Sequence, residues 1–217
     1  MRILSISAAA ALLFAMPAAA GAQHDHGESV DGGEVPTGWS VRLDKPSAGL
    51  ANVKVVEMGD GLHVTLGPAV ILYREQDRAS GPYRVAASFT LTKPARHPEA
   101  YGLFVGGSDL QGDGQRYTYF LIRQDGKFLV KRRTGAETQT VVDWTEHASV
   151  RAPQGEGSAT NELAIEVGAE QVRFLVNGAQ VASVARSDVD AQGMYGYRVN
   201  HNLDVHLGPI AKTSAGR

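Results

Sequence analysis

From Trp39 onward, no stretch of ten or more residues keeps an apolar stripe at helical spacing. The chain instead shows short runs in which apolar and polar residues alternate, cut by glycine, asparagine, aspartate and proline. Alternation at every second residue is the pattern of strands with one buried face. Without helices long enough to cross over a sheet, successive strands must pair antiparallel, which excludes doubly wound α/β architectures. The runs fall at 39–43, 54–57, 62–66, 70–73, 83–91, 101–105, 116–123, 128–132, 139–143, 162–167, 171–176, 180–184, 196–199 and 203–207. Asn177-Gly178 and Asp125-Gly126 suit tight hairpins, because these residues tolerate the positive φ of primed turns. The best helical candidate, 188–194, is one turn at most. So many short strands in one domain predict an all-β, two-sheet antiparallel sandwich of jelly-roll type.

The first residues read differently. A positive start at Arg2, an apolar run from Leu4 to Met16 and small residues through Ala22 have the three parts of a secretory signal. The organisation expected is a signal peptide at 1–22, a flexible tail at 23–38, the β-sandwich at 39–211 and a short C-terminal tail at 212–217. That places the mature protein in the periplasm or outside the cell. With no cysteine, it is held by packing alone. No later stretch is apolar and long enough to span a bilayer as a helix. Lys and Arg number 21 against 23 Asp and Glu, so there is no basic surplus for a nucleic-acid backbone.

The phase of the alternation points to a ligand surface. In 116–123 one strand face carries Tyr117, Tyr119, Leu121 and Arg123, and the other carries Thr118, Phe120 and Ile122. The next strand offers Leu129, Lys131 and Arg133 on one side and Phe128 and Val130 on the other. Tyrosine hydroxyls in a core need partners and phenylalanine rings do not, so the tyrosines are placed outward. The Asp125-Gly126 turn brings Arg123 and Lys131 within reach of each other. Aromatic rings beside guanidinium groups can stack on a sugar and donate to its hydroxyls. Trp144, with His147 nearby, is read as a loop aromatic able to stack on a sugar ring. Such a sheet, if curved, collects Tyr101, Tyr117, Tyr119, Arg123, Lys131, Arg133, Trp144 and His201 around a concave face.

Three segments in order resemble the concanavalin A-like lectin and glucanase superfamily, which includes laminin G modules. Ala100 to Gly107, AYGLFVGG, is similar to its central strand ending in a glycine-rich loop. Phe174 to Val181, FLVNGAQV, resembles its characteristic hairpin, and Gly193 to Ile210 resembles its closing strands. The resemblance implies a concanavalin A-like jelly roll over 39–211. A more distant similarity, to bacterial secreted 3-keto-glycoside hydrolase domains, sets His201 against a histidine of their final strands. Where that family has asparagine-serine-glycine this chain has Glu99-Ala100-Tyr101-Gly102, so its activity is not carried over. The glucanase members imply carboxylates at alternate strand positions, and no Glu-x-Asp-x-Glu occurs. Glu162 and Glu166 share a strand face but lie about 13 Å apart, too far for two-carboxylate hydrolysis.

Two metal sites are conceivable. Asp109 and Asp113, with Gln111, Gln115 and intervening glycines, could wrap Ca²⁺ at a loop rim. His24 and His26 beside Asp25 and Glu28 could meet a transition metal. No nucleophile elbow or phosphate loop is present. Three functions remain open: a non-catalytic carbohydrate or small-ligand binding module; a sugar-processing enzyme with His201 or Tyr197 as base beside Arg133; and a structural or interaction domain whose sheet face a protein partner covers. An exposed apolar patch near Leu129 and Leu175 is the sign of the last.

Overall fold

The computed structural model describes residues 32–214. The predicted signal peptide, and the His24 and His26 cluster, lie outside the described residues. The chain folds as two antiparallel sheets, packed face to face. One has seven strands in the order β1-β4-β13-β6-β7-β8-β9. These are Ser40–Leu43, Val70–Ala79, Gly193–Val199, Ala100–Ser108, Arg116–Arg123, Lys127–Thr134 and Glu137–Glu146. The other runs β12-β11-β10-β5-β14-β3-β2. Its strands are Ala179–Ala185, Gln171–Val176, Ala159–Val167, Tyr83–Leu91, Leu203–Leu207, Gly61–Leu66 and Val53–Met58, and β15 (Ala211–Ser214) also pairs with β5. Two short 3-10 turns, Pro46–Ala48 and Arg186–Asp188, are the helical structure of the described residues.

The core between the sheets is what the alternation dictates. Leu163, Ile165 and Val167 of β10, Val172, Phe174 and Val176 of β11, and Phe120 and Ile122 of β7 all point into it, with no measurable exposure. Phe120 and Phe174 meet across the sheets with ring centroids 5.2 Å apart. Two of the phenols in this core reach main-chain acceptors: Tyr83 donates to the Ala191 carbonyl at 2.7 Å and Tyr197 to that of Gly208 at 2.6 Å. The Asn177-Gly178 turn has both residues at positive φ, 51° and 81°, as a two-residue hairpin requires. Its Asn177 side chain accepts from the Glu162 N–H and donates to Ser149 and Asn161, tying the 147–157 loop to the hairpin.

Three boundaries differ from the sequence reading. The C-terminal segment expected as a tail from 212 is strand to Ser214, paired residue for residue with β5 as far as Tyr83. At the other end, the described part of the expected N-terminal tail is hydrogen-bonded: Gly32 and Gly33 donate to the carbonyls of Ala51 and Val53. Strand β4 runs on past Tyr73 to Ala79, where Arg78 and Ala79 pair with Met194 and Gly193 of β13.

Candidate functional site

The outer face of the seven-stranded sheet carries a second apolar layer, separate from the core between the sheets. Ile71 and Tyr73 of β4, Ala100 and Phe104 of β6, Tyr117, Tyr119 and Leu121 of β7, Leu129 of β8 and Met194 of β13 form it, with Trp144 packed at its edge. The phase is the one the phenol argument selects. Register pairs Tyr117 with Arg133, Tyr119 with Lys131 and Leu121 with Leu129. The rings of Phe104, Tyr117 and Tyr119 form a chain with centroids 5.3 and 5.7 Å apart.

These rings are not open to solvent as a concave stacking floor needs. Tyr117 is 1% and Tyr119 6% exposed. Polar groups lie over them. Arg198 of β13 has Gly102 of β6 as its register partner, and it crosses that side-chain-free position to reach β7. Its guanidinium stands 5.4 Å above the Tyr119 ring and donates to the Tyr117 hydroxyl at 3.2 Å. Both of its Nη atoms are held by the Asp44 carboxylate in a bidentate pair. Arg133 donates to the same carboxylate at 3.1 Å and to the Gly135 carbonyl. Burial alone would raise the Asp44 carboxyl, but the hydrogen bonds and charge of Arg198, with Arg133 behind them, outweigh it and hold the group below its ordinary value. Burial pushes the Tyr117 and Tyr119 phenols upward.

The Asp44–Arg133 contact also reports the shape of the sheet. Asp44 directly follows β1, and Arg133 lies on β8, five places along in sheet order. Adjacent strands are about 4.8 Å apart, so a flat sheet would separate them by roughly 24 Å, farther than the two side chains reach. The sheet therefore curls toward this side. A second cover comes from the 109–114 loop. Leu110 enters the aromatic layer, Gln111 donates to the Tyr73 hydroxyl at 2.7 Å, and Arg42 of β1 holds the Leu110 and Gly112 carbonyls at 3.2 and 2.9 Å.

That arrangement bears on the expected Ca²⁺ loop. Two carbonyls that would face a cation already bind the Arg42 guanidinium. Asp109 turns back on its own loop, accepting the Gly114 N–H at 3.1 Å. Among the described residues no three His, Asp or Glu side chains converge as metal ligands. Asp109 thus braces a loop whose carbonyls hold the Arg42 cation.

The remaining sequence candidates separate. Tyr101 points into the core between the sheets, 5.7 Å from the Phe89 ring, and burial pushes its phenol up to about 12. It is not on the concave face. Trp144 lies within β9 and not in a loop, half-buried, with the Arg123 guanidinium 4.2 Å from its ring. Arg123 is clamped by Asp125 through two hydrogen bonds of 2.7 Å. Arg123 and Lys131 are not cross-strand neighbours, since the register sets Lys131 beside Tyr119. His201 is exposed beyond β13 with Nδ1 3.3 Å from Glu99, and that hydrogen bond raises its pKa. Tyr197 and Arg133 do not meet, because the Tyr197 hydroxyl is spent inside the sandwich, so the enzyme reading finds no base-and-arginine pair there. Leu129 is buried in the outer layer, while Leu175 lies half-buried on β11 in the other sheet. They form no common patch, and Met58 is the one large hydrophobic residue exposed among the described residues.

Sequence reasoning missed Asp44, Arg198 and Asn200. Two polar atoms, Arg198 Nε on β13 and Asn200 Oδ1 just after it, are buried without a hydrogen-bond partner among the described residues. Alternation predicts that positions 198 and 200 share a face with 196, but no local pattern links Asp44 to a residue so distant in sequence.

No protein-family model matches the sequence, and no curated protein does. Among solved structures, the chain is similar to the carbohydrate-binding module CBM66 from Bacillus subtilis, with TM-score 0.60, 11% identity, and 82% of this chain covering 96% of that one. A protein of unknown function with a galectin-like fold, also from Bacillus subtilis, has TM-score 0.59 and 11% identity over 82% of this chain and 90% of the other. A Bacteroides ovatus GH16 protein of a mixed linkage glucan locus, solved with product, has TM-score 0.56 and 10% identity over 86% and 99%. At these identities the likeness is one of fold. The chain is an all-β sandwich consistent with a concanavalin A-like jelly roll, structurally related both to carbohydrate-binding modules and to glycoside hydrolases.

Proposed function

We propose that the protein is an exported, non-catalytic carbohydrate-binding module that uses the curled outer face of the seven-stranded sheet. The observation that carries this reading is the second aromatic layer on the solvent side of that sheet, interleaved with Arg133, Lys131 and Arg198. A sandwich folds on one core. The buried tyrosines and Arg198 form a fixed base, and its half-exposed rim, Lys131 and Trp144, offers a sugar a donor and an aromatic ring. The fold relationship to carbohydrate-binding modules agrees with this reading.

The test is a glycan array of neutral and acidic oligosaccharides with the mature chain, followed by calorimetry on each hit. Trp144→Ala weakens binding about tenfold or more, consistent with the loss of one aromatic contact worth about 1–2 kcal/mol. An array without hits removes the reading. A hit insensitive to Trp144, Lys131 and Arg133 substitutions moves the site off this face.

A further inference from the structure

The charges on the curled face do not cancel. Arg133 and Arg198 share a single carboxylate, that of Asp44. The Arg42 guanidinium is held by two main-chain carbonyls and no acid. Lys131, half-buried beside Tyr119, has no ion-pair partner among the described residues. Arg123 pairs with Asp125, a carboxylate that also lies 4.0 Å from Lys127. The chain as a whole is negative, with a formal net charge of -2. With Asp109 and Asp113 of the covering loop counted the face is closer to balance, and the excess is local to the rim where Arg133, Arg198 and Lys131 have Asp44 as the one paired carboxylate among the described residues. It is concentrated among the aromatic rings, where the low-dielectric surroundings strengthen its action on a ligand.

The opposite face shows what cancelled charge looks like. There Arg84 bridges Glu162 and Glu166, and Arg173 pairs with Glu166 at 2.7 Å. Those two arginines meet those two glutamates, and Lys54 on the same outer side stands apart from them and exposed. On the curled face, Lys131 is the group whose charge no protein carboxylate answers. Its ammonium is a compact charge on a flexible stem, able to follow a carboxylate delivered at the Tyr119 rim.

We infer that the ligand is an acidic saccharide, a uronate-containing chain whose ring carboxylate pairs with Lys131 at the Tyr119–Arg133 rim of the face. This inference rests on the glycan-binding reading and sharpens it to a class. A neutral glycan leaves Lys131 and the surplus of the two arginines unmatched, whereas each uronate residue brings one carboxylate per ring. The aromatic edge at Trp144 and Arg123 takes the apolar face of a neighbouring residue.

The experiment titrates the full mature chain with oligogalacturonate, oligomannuronate and a hyaluronan oligosaccharide, each beside its carboxyl-reduced counterpart, and adds a neutral panel. The expected result is binding of at least one uronate, weakened about tenfold by carboxyl reduction, as expected for loss of one charge pair. Lys131→Ala weakens the same complex about as much, and added salt weakens it further. Lys54→Ala, on the outer side of the other sheet, leaves it unchanged. If the reduced oligosaccharides or the neutral panel bind as well as the uronates, the acidic class is overturned and the glycan-binding reading stands. If no saccharide of any kind binds, both fall. Uronate binding that ignores Lys131→Ala but responds to Lys54→Ala places the anion on the other sheet and overturns the inference. Lys131 is half-exposed and is not part of a packed cluster, so its alanine variant is expected to fold, which circular dichroism checks.

Discussion

On the outer side of the eight-stranded sheet, Thr90 meets Thr160, Arg84 and Arg173 meet Glu162 and Glu166, and His63 meets Asp204. On the outer side of the seven-stranded sheet, tyrosines, a phenylalanine, leucines and a methionine pack beneath a buried arginine that one aspartate holds. Both surfaces grow from the same two-residue alternation and the same shared core. The first spends its outward positions on ion pairs between side chains that water also reaches. The second sinks them under a polar roof, where charge is costly unless matched. Side-chain burial on one side of a sheet therefore does not follow from alternation alone. It also depends on whether the sheet curls and whether loops such as 109–114 fold back over it.

The comparison is tested most sharply by removing one acid from each face. Asp44→Ala strands the buried Arg198 guanidinium and is expected to cost about 3–5 kcal/mol. Glu166→Ala removes a surface partner and is expected to cost less than about 1 kcal/mol. Urea denaturation of the two variants measures the difference, and equal losses would show that the two faces are energetically alike.

Acid separates the faces next. The Asp44 carboxyl is held below its ordinary 3.8, so its contribution is fully present above that unfolded-state value and is lost as pH falls through the folded one. Melting temperatures between about pH 5 and pH 2 are expected to fall more steeply for wild type than for Asp44→Asn, which has no such proton to take up. Parallel curves would mean that the Asp44 pair contributes nothing specific.

The smallest effect belongs to the rim. Glu99 raises the His201 pKa, so this pair stabilises fully below the ordinary histidine value and its contribution disappears as pH rises through the raised one. Because the imidazole is largely exposed, the change is a small melting shift between about pH 6 and pH 8, absent in Glu99→Gln. NMR titration of the His201 ring gives the direction independently: its midpoint drops in Glu99→Gln.

Much of this architecture was legible in the residues. Strands 83–91, 116–123, 171–176 and 203–207 have the limits the alternation gives, because turn residues bound them on both sides. Tyr117 and Tyr119 take the outer phase that the phenol argument chose, but they are buried there and other tyrosines enter the core, so the cost of burying a phenol is not what orients them. β15 was not legible: Ala211, Lys212, Thr213 and Ser214 are all exposed, so main-chain hydrogen bonds place them and no pattern of side chains records it. Tyr101 misled because a tyrosine on an expected ligand strand reads as outward, while here it takes a core position beside Phe89. The Asp44–Arg198 pair joins residues at the two ends of the domain through the curl of a sheet, which is a tertiary property.

The pairing of β5 has a consequence for the order in which the molecule can be assembled. This strand ends at Leu91, yet its partners begin only at Ala159, Leu203 and Ala211. A chain emerging from the ribosome holds Tyr83–Leu91 unpaired until Ala159–Val167 has followed, and fills its other edge only with Leu203–Leu207 and Ala211–Ser214. Sequence-distant pairing of this kind makes folding slow and late. The middle of this sheet is therefore the last part to close, when the final two strands arrive along the free edge of β5.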